Sequence, residues 1–279
     1  MKIVSFRHGA AQSFGIAGDD GIIDLGRHTP FSTLKAMLAA DGLDAARAVA
    51  GQEPDFKSDA VTLLPVLPDP GKILCVGLNY HDHVQETGRP LTQHPTLFTR
   101  FANTLVAHEA PLVKPTVSDK FDYEGELAII VGKPGRHIAA ADAFDHVAGY
   151  APFNDGSVRD WQGHTSQFIP GKNFEGTGGF GPALVTPDEV GPLDDLTLVT
   201  RFNGTVVQEA RLGLMITPIP ELIAYISTFT TLEAGDVIVT GTPGGVGMKR
   251  KPPLYMKPGD VVEVEIERIG LLRNSVVAE

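Results

Sequence analysis

Glu124 and Glu126 stand two residues apart in Phe121-Asp122-Tyr123-Glu124-Gly125-Glu126-Leu127 and lead directly into an apolar run. If that run is a strand, both side chains leave the same face, roughly 7 Å apart at ~3.3 Å rise per residue. Like charges held there repel unless a cation sits between them. Carboxylate oxygens select hard ions such as Mg²⁺, Mn²⁺ or Ca²⁺ over Zn²⁺. The same spacing also fits a solvated acidic strand edge. A third carboxylate, Asp155, ends a strand-like stretch in Phe153-Asn154-Asp155-Gly156-Ser157. Shortly after it come Arg159 and Gln162, a guanidinium fork and an amide donor able to hold a substrate carboxylate. Asp-Gly and Ser are also turn formers, so a plain surface turn is the alternative for this segment.

A different chemistry is carried by Asn79-Tyr80-His81-Asp82-His83-Val84-Gln85-Glu86. His83 and Glu86 are three apart and share a face if the segment is helical. Such a pair can hold one proton between them and activate a water. An exposed amphipathic helix reads the same way. In Pro170-Gly171-Lys172-Asn173-Phe174, Lys172 can reach into a site from a loop, although a lone lysine more often faces solvent. Residues 240–247, Thr-Gly-Thr-Pro-Gly-Gly-Val-Gly, have the backbone freedom to wrap a small anion with N–H groups. They do not form a P-loop, because no Gly-Lys-Ser/Thr follows. They are not a dinucleotide fingerprint either, because no helical pattern opens after them.

These groups need a scaffold, and the pattern after residue 71 is mostly short strands and turns. The run 126–131 predicts a buried strand. Residues 196–207 predict a hairpin about Asn203-Gly204, a pair that tolerates positive φ twice. Residues 236–240 predict another apolar strand, and 260–266 a half-exposed one, since Val and Ile alternate with Glu. Residues 221–229 predict a helix offering Leu222, Ile223, Tyr225 and Ile226 to the core. The first 68 residues read as a small separate unit. It has a strand at 2–6, a strand pair over 15–25 broken by Gly18-Asp19-Asp20-Gly21, a helix capped at Ser32 or Thr33, and a second helix over 43–49. Residues 63–71, with three prolines and a glycine, predict the linker.

The formal net charge of −11 makes a phosphate backbone an unfavourable partner, so nucleic acid is not expected. It also repels small anions at long range, so an anionic substrate needs local positive charge from a metal, a Lys or an Arg. A single cysteine, Cys75, cannot form an intrachain disulfide and lies in an apolar run, as a small buried hydrophobe would. No apolar run approaches the ~20 residues that span a bilayer, and MKIVSFRHGA lacks a signal peptide's apolar stretch. No membrane association and a cytoplasmic location are therefore expected.

Taken together and in order, six segments resemble the fumarylacetoacetate hydrolase family: KILCVGLNYHDHVQETG, FDYEGELAIIVGKPGRHI, GYAPFNDGSVRDWQ, GKNFEGTGGFGPALVT, LIAYISTFTTLEAGDVIVTGTPGGVG and PGDVVEVEIERIG. The resemblance implies an α+β, mostly β fold with a mixed, rolled sheet, forming a homodimer. A small N-terminal α/β domain (residues 1–68) would precede the catalytic domain (69–279). It implies Mg²⁺ or Mn²⁺ on Glu124, Glu126 and Asp155, with Ca²⁺ as a substitute. His83 and Glu86 match the family's His–Glu pair, on a segment able to order over the site as a lid. Lys172 matches the active-site lysine, and Arg159, Gln162 and Thr242 match substrate-contacting positions. Many members have Phe-x-Lys where this chain has Phe98-Thr99-Arg100, so Arg100 is left outside the expected site.

The chemistry so implied is metal-assisted formation of a 2-oxo-acid enolate. Hydrolysis of a C–C bond in an acylpyruvate-like 2,4-dioxo acid, giving pyruvate and a carboxylic acid, stands first. Hydration or isomerisation of 2-oxo-enoic (di)acids, or oxaloacetate decarboxylation, stands second on the same metal-enolate site. A catalytically idle, metal-stabilised binding protein is the alternative from another class.

Overall fold

Leu127, Ile129 and Val131 alternate along the chain with Ala128 and Ile130. In the computed structural model, which describes residues 1–279, the two sets enter different hydrophobic cores. The strand Gly125–Val131 is buried along its whole length, which is why it reads as an unbroken apolar run. It lies inside a 12-stranded mixed sheet, antiparallel to both Val147–Asp155 and Val237–Val239. Val237–Val239 then runs parallel to Ile73–Gly77. The Leu127 face packs on the helix Ile219–Phe229 and on Leu198, Val264, Ile266 and Leu272 of a second, five-stranded sheet. The Ala128 face packs on Ile3, Phe14 and Ile16 and on the helix Leu34–Ala39. This is the strand-rich α+β architecture expected.

The N-terminal elements form where the sequence places them. Strands Lys2–His8, Ala11–Gly18 and Gly21–Asp24 are followed by helices Leu34–Ala39 and Leu43–Val49. The Thr33 hydroxyl caps the first of these helices by accepting from Ala36 N at 3.0 Å. These strands continue the large sheet, because Lys2 and Ile3 pair with Val185 and Leu184. The proline-rich residues 63–71 are anchored to it, with Val66 and Leu67 fully buried.

The second sheet follows its sequence pattern. Thr197–Phe202 and Thr205–Arg211 form the hairpin, with positive φ at both Asn203 (49°) and Gly204 (78°). Strand Val261–Ile266 buries Val262, Val264 and Ile266 and leaves the residues between them half-exposed. No helix is long and apolar enough to cross a membrane.

Candidate metal centre and active site

Backbone register explains how residues 124, 126 and 155 converge. Glu124 and Glu126 share one face at the start of Gly125–Val131. Across from Glu124 lies Asp155, whose N–H donates to the Glu124 carbonyl at 2.8 Å. The three carboxylates therefore come from one i, i+2 pair plus a cross-strand neighbour. Their oxygens lie within 4.8 Å of one another, and all three residues are buried. Gly125 between the two glutamates is required by packing: a Cβ there would stand 2.0 Å from Thr200 Oγ1 of the second sheet.

Three buried cations surround this cluster. Lys172 Nζ donates to Glu124 Oε2 at 2.5 Å and also to Asp155 Oδ2. Arg159 places Nη1 2.6 Å from Glu124 Oε1 and Nε 2.8 Å from Asp122 Oδ2. Arg100 donates from Nη1 to Asp155 Oδ1 at 2.6 Å and to Gly156 O at 3.0 Å, and from Nη2 to Thr177 Oγ1 at 2.8 Å. Burial alone would raise the Glu124 carboxyl, but Arg159 and Lys172 outweigh it and hold the group well below the usual carboxylate range. Burial alone would lower the Lys172 ammonium, but Asp155 and Glu124 reverse that, so it stays charged.

Glu126 differs from its neighbours. No cation pairs with it, and it accepts from the Gly241 N–H at 2.5 Å. Burial, then the charges of Asp155 and Glu124, push its carboxyl well above the ordinary range. A cluster of hard oxygen donors with one uncompensated carboxylate fits a divalent cation such as Mg²⁺ or Mn²⁺.

His83 and Glu86 do share a helix, His81–Thr87. His83 Nδ1 lies 2.8 Å from Glu86 Oε1, and Glu86 Oε2 accepts from Gly245 N at 2.9 Å. A carboxylate partner puts the proton on Nδ1 and leaves the Nε2 lone pair free. His83 is 6% exposed and lines a cavity of about 210 Å³, shared with Glu124, Glu126, Arg159 and Lys172.

Gln162 and Thr242 line the same cavity. Both are partly committed elsewhere. Gln162 Oε1 accepts from Arg159 Nη1 at 3.0 Å, and the Thr242 hydroxyl donates to Gly125 O at 2.9 Å. Arg159 Nη2 is buried and has no partner, so one donor of its fork remains for a ligand.

Two expectations need correction. The glycine-rich loop does not reserve its N–H groups for a bound anion. Gly241, Gly245 and Gly247 donate to Glu126, Glu86 and Asp122, carboxylates of the protein itself. Arg100, left outside the site on sequence grounds, is 2% exposed and holds the Asp155 oxygen that Lys172 does not. Asp122, which continues the alternation of residues 124 and 126, also belongs to the cluster. It is fully buried, binds Arg159, and accepts from Gly247 N at 2.8 Å and Met248 N at 2.9 Å.

Residues 72–277 match the sequence profile described as fumarylacetoacetate (FAA) hydrolase C-terminal. A human protein named oxaloacetate tautomerase FAHD2A, mitochondrial, is 40% identical over 99% of this chain and 92% of its own length. A fumarylacetoacetate hydrolase from Exiguobacterium antarcticum superposes with a TM-score of 0.83 at 34% identity, covering 100% of both chains. Maleylpyruvate hydrolase from Sphingobium sp. SYK-6, solved with manganese(II) and pyruvate, superposes with a TM-score of 0.83 at 28% identity, covering 100% of this chain and 99% of the other. With the profile spanning most of the chain and such identity sustained along nearly all of it, this protein belongs to the fumarylacetoacetate hydrolase family.

Proposed function

We propose that this protein is a divalent-metal-dependent keto–enol tautomerase of a small 2-oxo diacid of the oxaloacetate type. The observation that carries the proposal is the near-full-length similarity to the human oxaloacetate tautomerase, at 40% identity. The site supports it by placing a His–Glu pair and a buried lysine around one small cavity. C–C hydrolysis stood first on sequence grounds. The similarity favours the isomerase side of the alternative instead.

Glu124, Glu126 and Asp155 would hold a divalent ion, which when bound would supply Lewis-acid polarisation of the substrate's 2-oxo group. The free Nη2 of Arg159 donates to the adjacent substrate carboxylate. In the enol-to-keto direction, the protonated His83 imidazole gives its Nε2 proton to C3. The electron pair of the C2–C3 double bond becomes the new C–H bond, and the enol O–H proton leaves to water. The Lys172 ammonium, kept charged by Asp155 and Glu124, offsets negative charge on the 2-oxygen. Glu86 orients His83 and stabilises its charged form. Water then reprotonates the imidazole, and the keto-to-enol direction reverses these transfers.

Enol-oxaloacetate is the test substrate, with excess malate dehydrogenase and NADH consuming the keto form as it appears. Faster NADH oxidation that needs Mg²⁺ or Mn²⁺ and stops with EDTA supports the proposal. Pyruvate release, read separately through lactate dehydrogenase, supports another reaction: decarboxylation if it comes from oxaloacetate, hydrolysis if it comes from acetylpyruvate. Hydrolysis is the second reading, favoured by the likeness to maleylpyruvate hydrolase. There His83 and Glu86 would activate a water instead of exchanging a proton with carbon.

A further inference from the structure

Two of the four Lys and Arg residues lining the cavity are already matched. Arg159 and Lys172 sit on Asp122, Glu124 and Asp155. Arg89 and Lys249 line the same cavity and contact no carboxylate of the protein. Both are exposed at its mouth. Two unpaired cations lining one cavity are unusual economy in a chain of net charge −11, where carboxylates are plentiful.

Each is also held in place. The Arg89 guanidinium lies 4.8 Å above the centroid of the Phe168 ring, and Phe168 packs edge-on against Phe98, which also lines the cavity. Cation–π stacking fixes the plane of a guanidinium while leaving its N–H edge free to donate. Lys249 Nζ donates to Thr87 O at 3.3 Å, at the end of the helix that carries His83 and Glu86. That single bond leaves two of the three ammonium donors free. Arg89 follows two residues after Thr87, so Lys249 is tied to the backbone just ahead of Arg89.

We infer that Arg89 and Lys249 form a second anion subsite that binds the distal carboxylate of a dicarboxylic substrate. The inner pole, at Arg159 and the carboxylate cluster, takes the 2-oxo-acid end, and the outer pole takes the other end. This rests on the tautomerase proposal for the identity of the reaction, but its own content is selectivity for diacids over monoacids. Because Lys249 and Arg89 flank the His83 helix, an engaged distal carboxylate also ties that helix to the glycine-rich loop side of the cavity.

The test is calorimetric titration of Mg²⁺-loaded protein with freshly dissolved oxaloacetate and with 2-oxobutyrate, acids of equal chain length that differ by one carboxylate. The wild type and the R89Q/K249Q variant are compared. Both positions are on the surface, so the variant is expected to fold, and its melting temperature checks this. The wild type is expected to bind oxaloacetate about tenfold or more tighter than 2-oxobutyrate, as charge-assisted hydrogen bonds would provide. The variant should lose that preference while binding 2-oxobutyrate as before. Equal wild-type affinity for the two acids, or a preference that survives the double substitution, overturns the subsite. A diacid preference that disappears in the variant, in a protein that does not tautomerise oxaloacetate, keeps the subsite and overturns the reaction. Tautomerase activity with no diacid preference does the reverse.

Discussion

Replacing Glu86 with Gln separates catalysis from scaffolding at this site. The carboxylate accepts two hydrogen bonds, from His83 Nδ1 at 2.8 Å and from Gly245 N at 2.9 Å, and neither involves the three carboxylates of the candidate metal centre. A glutamine keeps the shape but can satisfy only one of these with its oxygen. Against the imidazole it either presents an N–H, which forces the wrong tautomer, or loses the Gly245 bond. It also cannot stabilise the charged imidazole. General acid–base assistance contributes ~10²–10⁴-fold, so kcat for enol-oxaloacetate should fall by about 10²–10³. The side chain is 22% exposed. Losing one charge-assisted bond there costs about 1–2 kcal/mol once solvent screening is allowed for. At ~2–4 °C per kcal/mol for a chain of this size, the melting temperature should drop by roughly 2–8 °C. Mn²⁺ affinity, measured by calorimetry, should stay unchanged. Turnover within threefold of wild type would refute the role given to Glu86. A parallel loss of Mn²⁺ binding would show that Glu86 belongs to the metal centre.

Arg100→Lys keeps the charge but not the fork that reaches Asp155, Gly156 and Thr177 together. Mn²⁺ affinity should weaken about tenfold, equivalent to ~1.4 kcal/mol; unchanged affinity in a titration would mean that Lys172 alone orients Asp155. Mg²⁺ or Mn²⁺ at a hundred times its dissociation constant should stabilise the protein by about 2.7 kcal/mol, seen as a higher melting temperature that EDTA reverses. Absence of any such shift would leave the Glu124, Glu126 and Asp155 cluster without its cation. Gly125→Ala drives a Cβ against Thr200 Oγ1 and should cost ~1–3 kcal/mol in a urea titration, with loss of activity as the glutamates shift. A stability equal to wild type would show that the two sheets can separate locally at no cost.

Much of the site was legible because its chemistry follows strand parity. Glu124 and Glu126 share a face by simple alternation, and the apolar run after them shows that the strand is buried. The same rule reaches back to Asp122, but its partners Arg159, Gly247 and Met248 are all distant in sequence. Asp155 was legible as a candidate, but not its place opposite Glu124, since that depends on the register between two strands separated in sequence by a long excursion. Arg100 was visible as a charge ending the strand Thr96–Arg100, yet its four-way anchoring to Thr104, Asp155, Gly156 and Thr177 is a tertiary property. The glycine-rich loop advertised its free N–H groups correctly. Sequence could not show that the acceptors are the chain's own carboxylates.

The balance of buried charge explains why one centre can serve several reactions of 2-oxo acids. Asp122, Glu124, Glu126 and Asp155 face Arg100, Arg159 and Lys172, which leaves Glu126 as the one carboxyl without a cation, and burial beside Asp155 and Glu124 favours its protonated form. Glu124, Glu126 and Asp155 would hold a divalent cation once the Glu126 proton leaves, and the cluster would then carry one net positive charge able to attract a 2-oxo carboxylate. Nothing in that inner arrangement depends on what is attached beyond C3. Discrimination must then come from groups farther out. There the cavity offers the unpaired cations Arg89 and Lys249 beside the apolar ring of Phe168. A substrate with a second carboxylate meets them directly. A neutral acyl chain would leave both cations solvated and gain little from them, which is the physical ground for expecting a diacid ahead of a neutral acylpyruvate as the substrate.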